Sequence, residues 1–127
     1  MSSNNWIILV ADDVEFNRVI FKLFLKNTGI HIEFACDGVE AMSCIRENEG
    51  KAILLFLDIM MPKMNGYEVI NEINLDKSLS DRVKIIVVSA VSKSEFIDSG
   101  YIDKIIDFID KPVDRSVLLD KISEICV

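Results

Sequence analysis

The chain has 127 residues, half of them hydrophobic, and its 21 acidic against 14 basic residues give a formal net charge of -7 at pH 7. This length suits one domain over residues 1–127, with a core of about 7–126, and is too short for an additional output module. The acidity argues against direct nucleic-acid binding, and neither a membrane span nor a signal peptide can be recognised, so we expect a cytoplasmic protein without membrane contact.

Hydrophobic patterning predicts strands and helices in alternation along the chain. Short apolar runs that end in polar or turn residues are typical of strands buried on both faces. In chain order we predict a strand over 7–10, a helix over about 14–27, a strand over 31–36, a helix over 38–48, a strand over 52–58, a helix over about 67–75, a strand over 84–88 and a strand over 107–110. This alternation predicts an α/β fold with right-handed crossovers and a doubly wound sheet.

The same patterns indicate packing faces and connections. The first helix, closed by Gly29, carries apolar residues near helical spacing: Phe16, Val19, Ile20, Leu23 and Phe24. The expected buried stripe of the second helix is Val39, Met42 and Ile45. A polar loop over 76–82 should lead to the next strand. Residues 92–106 allow two interpretations, either a short fourth helix with a long connection or a helix that continues through Gly100 at a cost of about 1 kcal/mol.

Three carboxylates follow predicted strands. The first strand runs into Asp12 and Asp13, and the apolar run from Ala52 closes on Asp58. Because open α/β sheets keep their ligand sites at the carboxyl edge, we expect these carboxylates to converge and to repel one another unless a cation lies among them. Oxygen donors without His or Cys suit a hard ion, and two or three carboxylates with room for water favour Mg²⁺ over Ca²⁺.

A hydroxyl and an ammonium follow the last two strands. Ser89 comes directly after the strand over 84–88, and Lys111 comes directly after the strand over 107–110. A nucleophilic carboxylate, a metal ion, a hydroxyl donor and a cation for the developing charge together predict a site for phosphoryl chemistry.

On these residues the chain resembles a response-regulator receiver domain of two-component signalling, from about residue 7 to residue 126. The matching positions are Asp12 and Asp13 for the acidic pair, Asp58 for the phospho-acceptor, Ser89 for the reorienting Ser/Thr, Phe108 for the aromatic switch and Lys111 for the lysine. The spacings also fit, with 45 residues from Asp13 to Asp58, 31 more to Ser89 and 22 more to Lys111. The resemblance implies a five-stranded parallel, flavodoxin-like (βα)5 fold with strand order 2-1-3-4-5.

The resemblance also implies a metal-dependent phosphorylation of Asp58. Mg²⁺, or Mn²⁺ as a substitute, would be held by Asp13, Asp58 and the main-chain carbonyl of Met60, with waters oriented by Asp12. Lys111 would pair with Asp58 at rest and with the phosphoryl group afterward.

A switch is expected to follow phosphorylation. Ser89 would turn toward a phosphoryl oxygen, and Phe108 would turn inward into the vacated space. The face made by the fourth helix, last strand and fifth helix of the family pattern would then change. Pro112, directly after Lys111, would lie in a cis peptide bond, as in the family.

The lifetime of the phosphoryl group depends on two further positions in the family, two residues after the acceptor and two after the Ser/Thr. Here they are Met60 and Val91, whose side chains can exclude a water but cannot orient one. We therefore expect slow self-dephosphorylation.

The implied phosphodonor is a sensor histidine kinase or a histidine phosphotransfer protein, and the downstream protein is not specified by the sequence. The domain would catalyse its own phosphorylation and dephosphorylation without turning over a separate substrate. The position of Asn17, four residues after Asp13 in the predicted first helix, resembles that helix in receivers of hybrid kinases. Two alternatives are a haloacid-dehalogenase-type aspartyl phosphatase, whose first-strand DxD motif is missing here, and a receiver-like interaction module that is never phosphorylated.

Overall fold

The computed structural model describes residues 5–126, so the predicted domain of residues 1–127 extends beyond the described part at both ends. The strands are β1 (Trp6–Ala11), β2 (His31–Ala35), β3 (Ala52–Leu57), β4 (Val83–Ser89) and β5 (Asp107–Asp110). The helices are α1 (Glu15–Leu25), α2 (Gly38–Glu47), α3 (Gly66–Leu75), α4 (Lys77–Ser80), α5 (Lys93–Asp98) and α6 (Arg115–Ile125), and a 3-10 turn spans Ile102–Lys104. Among residues 5–126, the length and composition of the helices give no candidate for a membrane-spanning helix.

The five strands form one parallel sheet in the order β2-β1-β3-β4-β5, which confirms the predicted topology. Every predicted strand and helix up to β5 ends within two residues of its prediction. The central strands β1, β3 and β4 are buried almost throughout because helices cover both sides of the sheet.

Two apolar layers fill the space between the sheet and the helices. On one side α1 and α6 pack on the sheet, with Phe21, Leu25, Leu118 and Ile122 among the buried residues. On the other side lie buried residues of α2, α3 and α5. Successive side chains of each strand point to opposite faces, so every central strand contributes to both layers.

Helix α1 packs through a face that matches its spacing only in part. Its buried residues are Phe21 and Leu25, and Phe24 packs partly buried against them, whereas Phe16, Val19 and Leu23 are exposed. The helix is apolar on more than one face, so spacing alone does not select the buried one. Contact with the sheet makes that selection.

Helix α2 buries two of its three predicted core residues. Met42 and Ile45 are buried, but Val39 is half exposed. The side chain of Asp37 accepts a hydrogen bond from the Glu40 N–H at 2.8 Å, so Val39 lies in the capped first turn. Its side chain therefore stays at the rim of the core.

The segment predicted as a polar loop over 76–82 contains a helix of one turn, α4. Asp76 caps it by accepting from the Ser78 N–H at 3.0 Å, and Leu79 is buried beneath it. One apolar residue between two polar stretches is a weak sequence signal. It is sufficient here because a cap satisfies the free N–H groups of the turn.

The segment over 92–106 adopts the first of its two predicted alternatives. Ser92 caps α5 by accepting from the Glu95 N–H at 3.1 Å, and the helix ends at Asp98. Gly100 then adopts a φ of +86°, a left-handed conformation that favours glycine and stops the helix. The 3-10 turn and an irregular stretch complete the connection to β5.

Candidate functional site

The carboxyl edge of the sheet brings the three predicted carboxylates together. Ala11 of β1 pairs with Leu57 of β3, so Asp12 and Asp58, which follow them, lie side by side. The Asp58 N–H donates to the Ala11 carbonyl at 3.0 Å and extends this register beyond the strands. Carboxylate oxygens of Asp12, Asp13 and Asp58 lie within 4.8 Å of one another.

Lys111 reaches the same edge from the end of β5. Its main-chain N–H donates to the Ser89 carbonyl at 3.0 Å, which continues the pairing of β4 with β5. Its Nζ donates to Asp12 Oδ2 at 2.9 Å and to Asp58 Oδ2 at 3.2 Å. The bond to Asp58 agrees with the prediction, and the shorter bond to Asp12 adds a partner that the resemblance does not indicate.

An imbalance of charge governs the electrostatics of this site. Three carboxylates face one lysine, which leaves two negative charges without a partner in the cluster. Burial raises the pKa of Asp58 above 3.8, and Asp12 adds to this effect, while Lys111 opposes it. Burial alone would lower the pKa of Lys111, but the bonds and charges of Asp12 and Asp58 raise it above 10.5. Both shifts indicate a site that favours additional positive charge.

The donor set fits a hard divalent cation. The three ligand groups are all carboxylates, and their uncompensated charge matches that of a divalent ion. Asp12 and Asp58 are buried, whereas Asp13 is exposed. An ion held here would contact protein on one side and water on the other, as Mg²⁺ commonly does.

Ser89 is the last residue of β4, and the two predicted lifetime residues follow the carboxyl ends of β3 and β4. The buried Ser89 Oγ accepts a hydrogen bond from the Val91 N–H at 3.1 Å, and Val91 itself is partly buried. Met60 lies two residues beyond Asp58, and 69% of it is exposed. The hydroxyl therefore has a backbone donor at rest, and Met60 extends into solvent.

The loop after Asp58 is packed tightly against the start of α3. The Gly66 N–H donates to the Ile59 carbonyl at 2.8 Å. A Cβ on Gly66 would lie 2.5 Å from the Asp58 carbonyl oxygen and 2.7 Å from the Ile59 Cα. Only glycine lets α3 begin this close to Asp58.

Comparison with known proteins identifies the family. The family model described as response regulator receiver domain matches residues 8–123. This chain belongs to the response regulator receiver domain family. It is 28% identical to the chemotaxis protein CheY of Treponema pallidum, over 93% of this chain and 81% of that protein. It is 30% identical to the hybrid signal transduction histidine kinase I of Dictyostelium discoideum, over 94% of this chain but 7% of that protein.

Solved structures share the receiver fold. A CheY-like receiver domain protein from Methanospirillum hungatei has a TM-score of 0.76 at 29% identity, with 93% of this chain and 91% of that chain covered. The CheX-CheY-BeF3-Mg²⁺ complex from Borrelia burgdorferi has a TM-score of 0.81 at 28% identity, with 96% and 90% covered. The chain thus spans most of single-domain relatives and a small share of the large kinases.

The predicted switch residue of this receiver, Phe108, is buried. Its ring lies 5.4 Å from the ring of Phe96 on α5, which in turn stacks 6.0 Å from Tyr67 on α3. Tyr101 extends this row at 4.8 Å from Tyr67. Phe108 is therefore packed against α5 in this structure, in which the Ser89 hydroxyl is bonded to the Val91 N–H. The adjoining peptide bond from Lys111 to Pro112 is cis, as implied.

An apolar groove adjoins Lys111 on the receiver surface. It has a volume of about 460 Å³, and its lining includes Phe16, Ile20, Phe24, Pro112 and Val113. The sequence patterns did not predict this groove. Its signal was the surplus of apolar residues on α1, which exceeds what one buried face requires.

Two side chains of α1 also contact Asp12, and only one of them was singled out from the sequence. Asn17 Nδ2 lies 3.4 Å from Asp12 Oδ1, and Arg18 Nη1 donates to the Asp12 main-chain carbonyl at 2.7 Å. The position of Arg18, five residues after Asp13, was its only sequence signal.

Proposed function

We propose that this receiver domain accepts a phosphoryl group on Asp58 in a Mg²⁺-dependent reaction. The observation that carries the proposal is the buried Asp58 carboxylate, which lies beside two further carboxylates and is bonded to Lys111. The acceptor is a residue of the chain itself, so the domain is proposed to catalyse its own phosphorylation and not to turn over a separate substrate.

The chain orients the acceptor through both of its oxygens. Asp58 Oδ1 accepts from the Ile59 N–H at 2.8 Å, and Oδ2 accepts from Lys111 Nζ at 3.2 Å. In the transfer, an Asp58 oxygen forms a bond to phosphorus while the bond from phosphorus to the donor breaks, and its electron pair leaves with the donor. Bound Mg²⁺, held by Asp13, Asp58 and the Met60 carbonyl with waters oriented by Asp12, would supply charge neutralisation. Mn²⁺ would substitute.

Lys111 and Ser89 are proposed to bind the product. The ammonium of Lys111 needs only a small change of partner, from the carboxylate to a phosphoryl oxygen, because it already lies at this edge. The Ser89 hydroxyl would exchange its bond with the Val91 N–H for one to the phosphoryl group. The Ser89 hydroxyl would replace a neutral bond, in which it accepts, by a charge-assisted one, in which it donates, whereas Lys111 would exchange one charge-assisted bond for another.

Output is proposed to pass through Phe108. Its ring packs on Phe96 of α5, so a movement of Ser89 next to β5 is transmitted to the surface of α5, β5 and α6 by packing. In the numbering of the family this is the face of the fourth helix, last strand and fifth helix. A downstream protein would read this face, and no contact with nucleic acid or membrane is proposed.

The phosphodonor is proposed to be a phosphohistidine on a sensor histidine kinase or a histidine phosphotransfer protein. Relatives of this chain include proteins whose names identify them as histidine kinases. The apolar groove beside Lys111, with its highly exposed Phe16, is suited to a partner helix that approaches Asp58.

Acetyl phosphate with Mg²⁺ tests the proposal by intact-mass measurement. We expect one phosphoryl group per chain, none on Asp58→Asn, and normal labelling of Asp110→Asn, whose carboxylate lies at the end of β5 on the surface. Labelling of Asp58→Asn at the wild-type rate would contradict the assignment. Steady hydrolysis of an added phosphate ester would instead indicate a phosphatase, and absence of labelling would indicate an interaction module.

A further inference from the structure

Arg18 forms the shortest hydrogen bond that α1 makes to the acidic cluster. Its Nη1 donates to the main-chain carbonyl of Asp12 at 2.7 Å, and the residue is partly buried. A bond from a guanidinium is charge-assisted and directional, and it is roughly twice as strong as a neutral one. The contact is therefore strong enough to set the conformation of the loop between β1 and α1.

The remaining groups of Asp12 are already held. Its N–H donates to the Ala35 carbonyl at 3.0 Å, its Oδ1 accepts from the Val14 N–H at 2.9 Å, and its Oδ2 accepts from Lys111. The carbonyl is the group through which this residue continues into Asp13. Arg18 thus completes the fixation of Asp12.

The Asp12 carbonyl belongs to the same planar peptide unit as the Asp13 nitrogen, so fixing its oxygen fixes the direction in which Asp13 leaves. Within residues 5–126, no hydrogen bond to the Asp13 carboxylate is formed, and this side chain is exposed. Its placement over the cluster therefore depends on the backbone that precedes it.

We propose that Arg18 is a positioning residue for the metal site, acting through the peptide between Asp12 and Asp13. The inference rests on the proposed function in taking Asp13 as a Mg²⁺ ligand. In this role Arg18 would act through its bond to the Asp12 carbonyl and would need no contact with the ion or the phosphoryl group.

The charge of Arg18 and its positioning role predict opposite changes in Mg²⁺ affinity when Arg18 is removed. A guanidinium near carboxylates repels a cation, so its removal would tighten Mg²⁺ binding if charge were its main effect. Loss of positioning would weaken binding. The sign of the change separates the two, and at 0.5 M salt, where the Debye length is roughly 4 Å, the charge effect is further reduced.

Calorimetric titration with MgCl₂ at 0.5 M NaCl, without phosphodonor, tests the proposal on wild type, Arg18→Ala, Arg18→Lys and Arg82→Ala. Arg82 is the matched control because it also bonds main-chain carbonyls, those of Ile45, Asn48 and Lys51, at the end of β3 opposite to the cluster. We expect Arg18→Ala to bind Mg²⁺ about tenfold more weakly, as for one lost charge-assisted bond. The Mg²⁺ affinity of Arg18→Lys should lie between those of wild type and Arg18→Ala. The Mg²⁺ affinity of Arg82→Ala should match that of wild type, although this variant is less stable.

Equal or tighter binding by Arg18→Ala would overturn the proposal, as would an equal loss in Arg82→Ala. If Arg18→Ala does not fold, wild-type affinity in Arg18→Lys overturns it. Labelling by acetyl phosphate adds a kinetic signature: the Mg²⁺ concentration for half-maximal rate should rise by the same factor, while the rate at saturating Mg²⁺ stays within about twofold of wild type. If no variant, wild type included, is labelled while the titrations differ as expected, the proposed function fails and the role of Arg18 stands.

Discussion

The two ends of the sheet hold their charges in opposite ways. At the amino end, Lys121 of α6 pairs with Asp107 of β5 one to one, and Arg82 bonds carbonyls at the end of α2 and before β3. At the carboxyl end, Lys111 is shared between Asp12 and Asp58. The amino-end pair is balanced one to one, whereas the carboxyl end places three carboxylates around one lysine. The proposed function therefore assigns the ligand to the carboxyl end.

The pKa values of the two carboxylate and lysine pairs express this difference. Burial alone would raise the pKa of Asp107, but the bonds from Lys121 and the Phe108 N–H lower it below 3.8. At Asp58, burial and the neighbouring Asp12 outweigh Lys111 and raise the pKa above 3.8. Ionisation of Asp107 therefore stabilises the fold, whereas ionisation of Asp58 destabilises it.

The largest expected effect of a single change lies at the amino end. Arg82→Ala removes bonds at 2.9, 3.1 and 3.2 Å to three carbonyls, two of them near the end of α2. We expect a loss of about 3 kcal/mol in the free energy of unfolding, as for charged hydrogen bonds left unmade. Urea unfolding measures it, with Arg46→Ala, an exposed ion pair to Glu72, as a control that should lose under about 1 kcal/mol. Altered labelling by acetyl phosphate in folded Arg82→Ala would contradict the expectation that the amino end affects stability alone.

Mg²⁺ should have the next largest effect, and only through the carboxyl end. At 100 times its dissociation constant, an ion that binds only the native state adds about 2.7 kcal/mol. Thermal melts with and without millimolar MgCl₂ should show this gain in wild type and little of it in Asp13→Asn. Without Mg²⁺, Asp13→Asn should be at least as stable as wild type because one repulsive charge is removed. An unchanged Mg²⁺ response in this variant would remove Asp13 from the ligand set.

Two glycines, one at each end of the sheet, differ in the space around them. At the carboxyl end, Gly66→Ala places a Cβ 2.5 Å from the Asp58 carbonyl, so the loop that carries Asp58 must shift. We expect a loss of about 1–3 kcal/mol and weaker Mg²⁺ binding. At the amino end, Gly50 has a φ of +79° and open space around it, so Gly50→Ala should cost about 1–2 kcal/mol through the backbone alone. Equal Mg²⁺ affinity in both variants would show that the Gly66 contact does not position the site.

The sequence predicted the site through topology. Apolar runs ending in Asp12, Asp58 and Ser89 are explicit in the sequence, and a parallel sheet necessarily places such ends at one edge. Lys111 followed from the same rule. The common location of these residues could therefore be predicted without knowing the side-chain positions.

What could not be predicted depends on side-chain reach or on competition between similar faces. The sharing of Lys111 with Asp12 is set by distances of a few tenths of an ångström. The predicted packing face of α1 was right only in part because the helix is apolar on several sides, and only docking on the sheet favours Phe21 over Phe16. The end of α5 depends on the conformation of one residue, Gly100.

Phosphoryl lifetime should respond to a smaller degree, by about tenfold or 1.4 kcal/mol in the barrier. Met60 and Val91 cannot orient an attacking water, so the double variant Met60→Asn, Val91→Glu should lose its phosphoryl group faster than wild type under the same Mg²⁺. Decay is timed by intact mass after removal of acetyl phosphate. Leu75→Asn, which makes another exposed apolar residue polar, should decay like wild type. If the double variant decays no faster, shielding at these positions does not set the lifetime.

The smallest expected effect is on the resting domain, where the Lys111 bond offsets part of the cost of burying Asp58. Because the pKa of Asp58 is raised in the folded state, its ionisation lowers stability as pH rises above 3.8. Asp58→Asn should therefore melt above wild type at pH 7 without Mg²⁺, and the difference should shrink as pH falls and vanish below 3.8. Asp107→Asn should show the opposite sign, because a lowered pKa gives stability at neutral pH that is lost as pH falls through it. Melts in EDTA between pH 3.5 and 7 make the comparison. A lower midpoint for Asp58→Asn than for wild type at pH 7 would mean that the carboxyl end is as well balanced as the amino end.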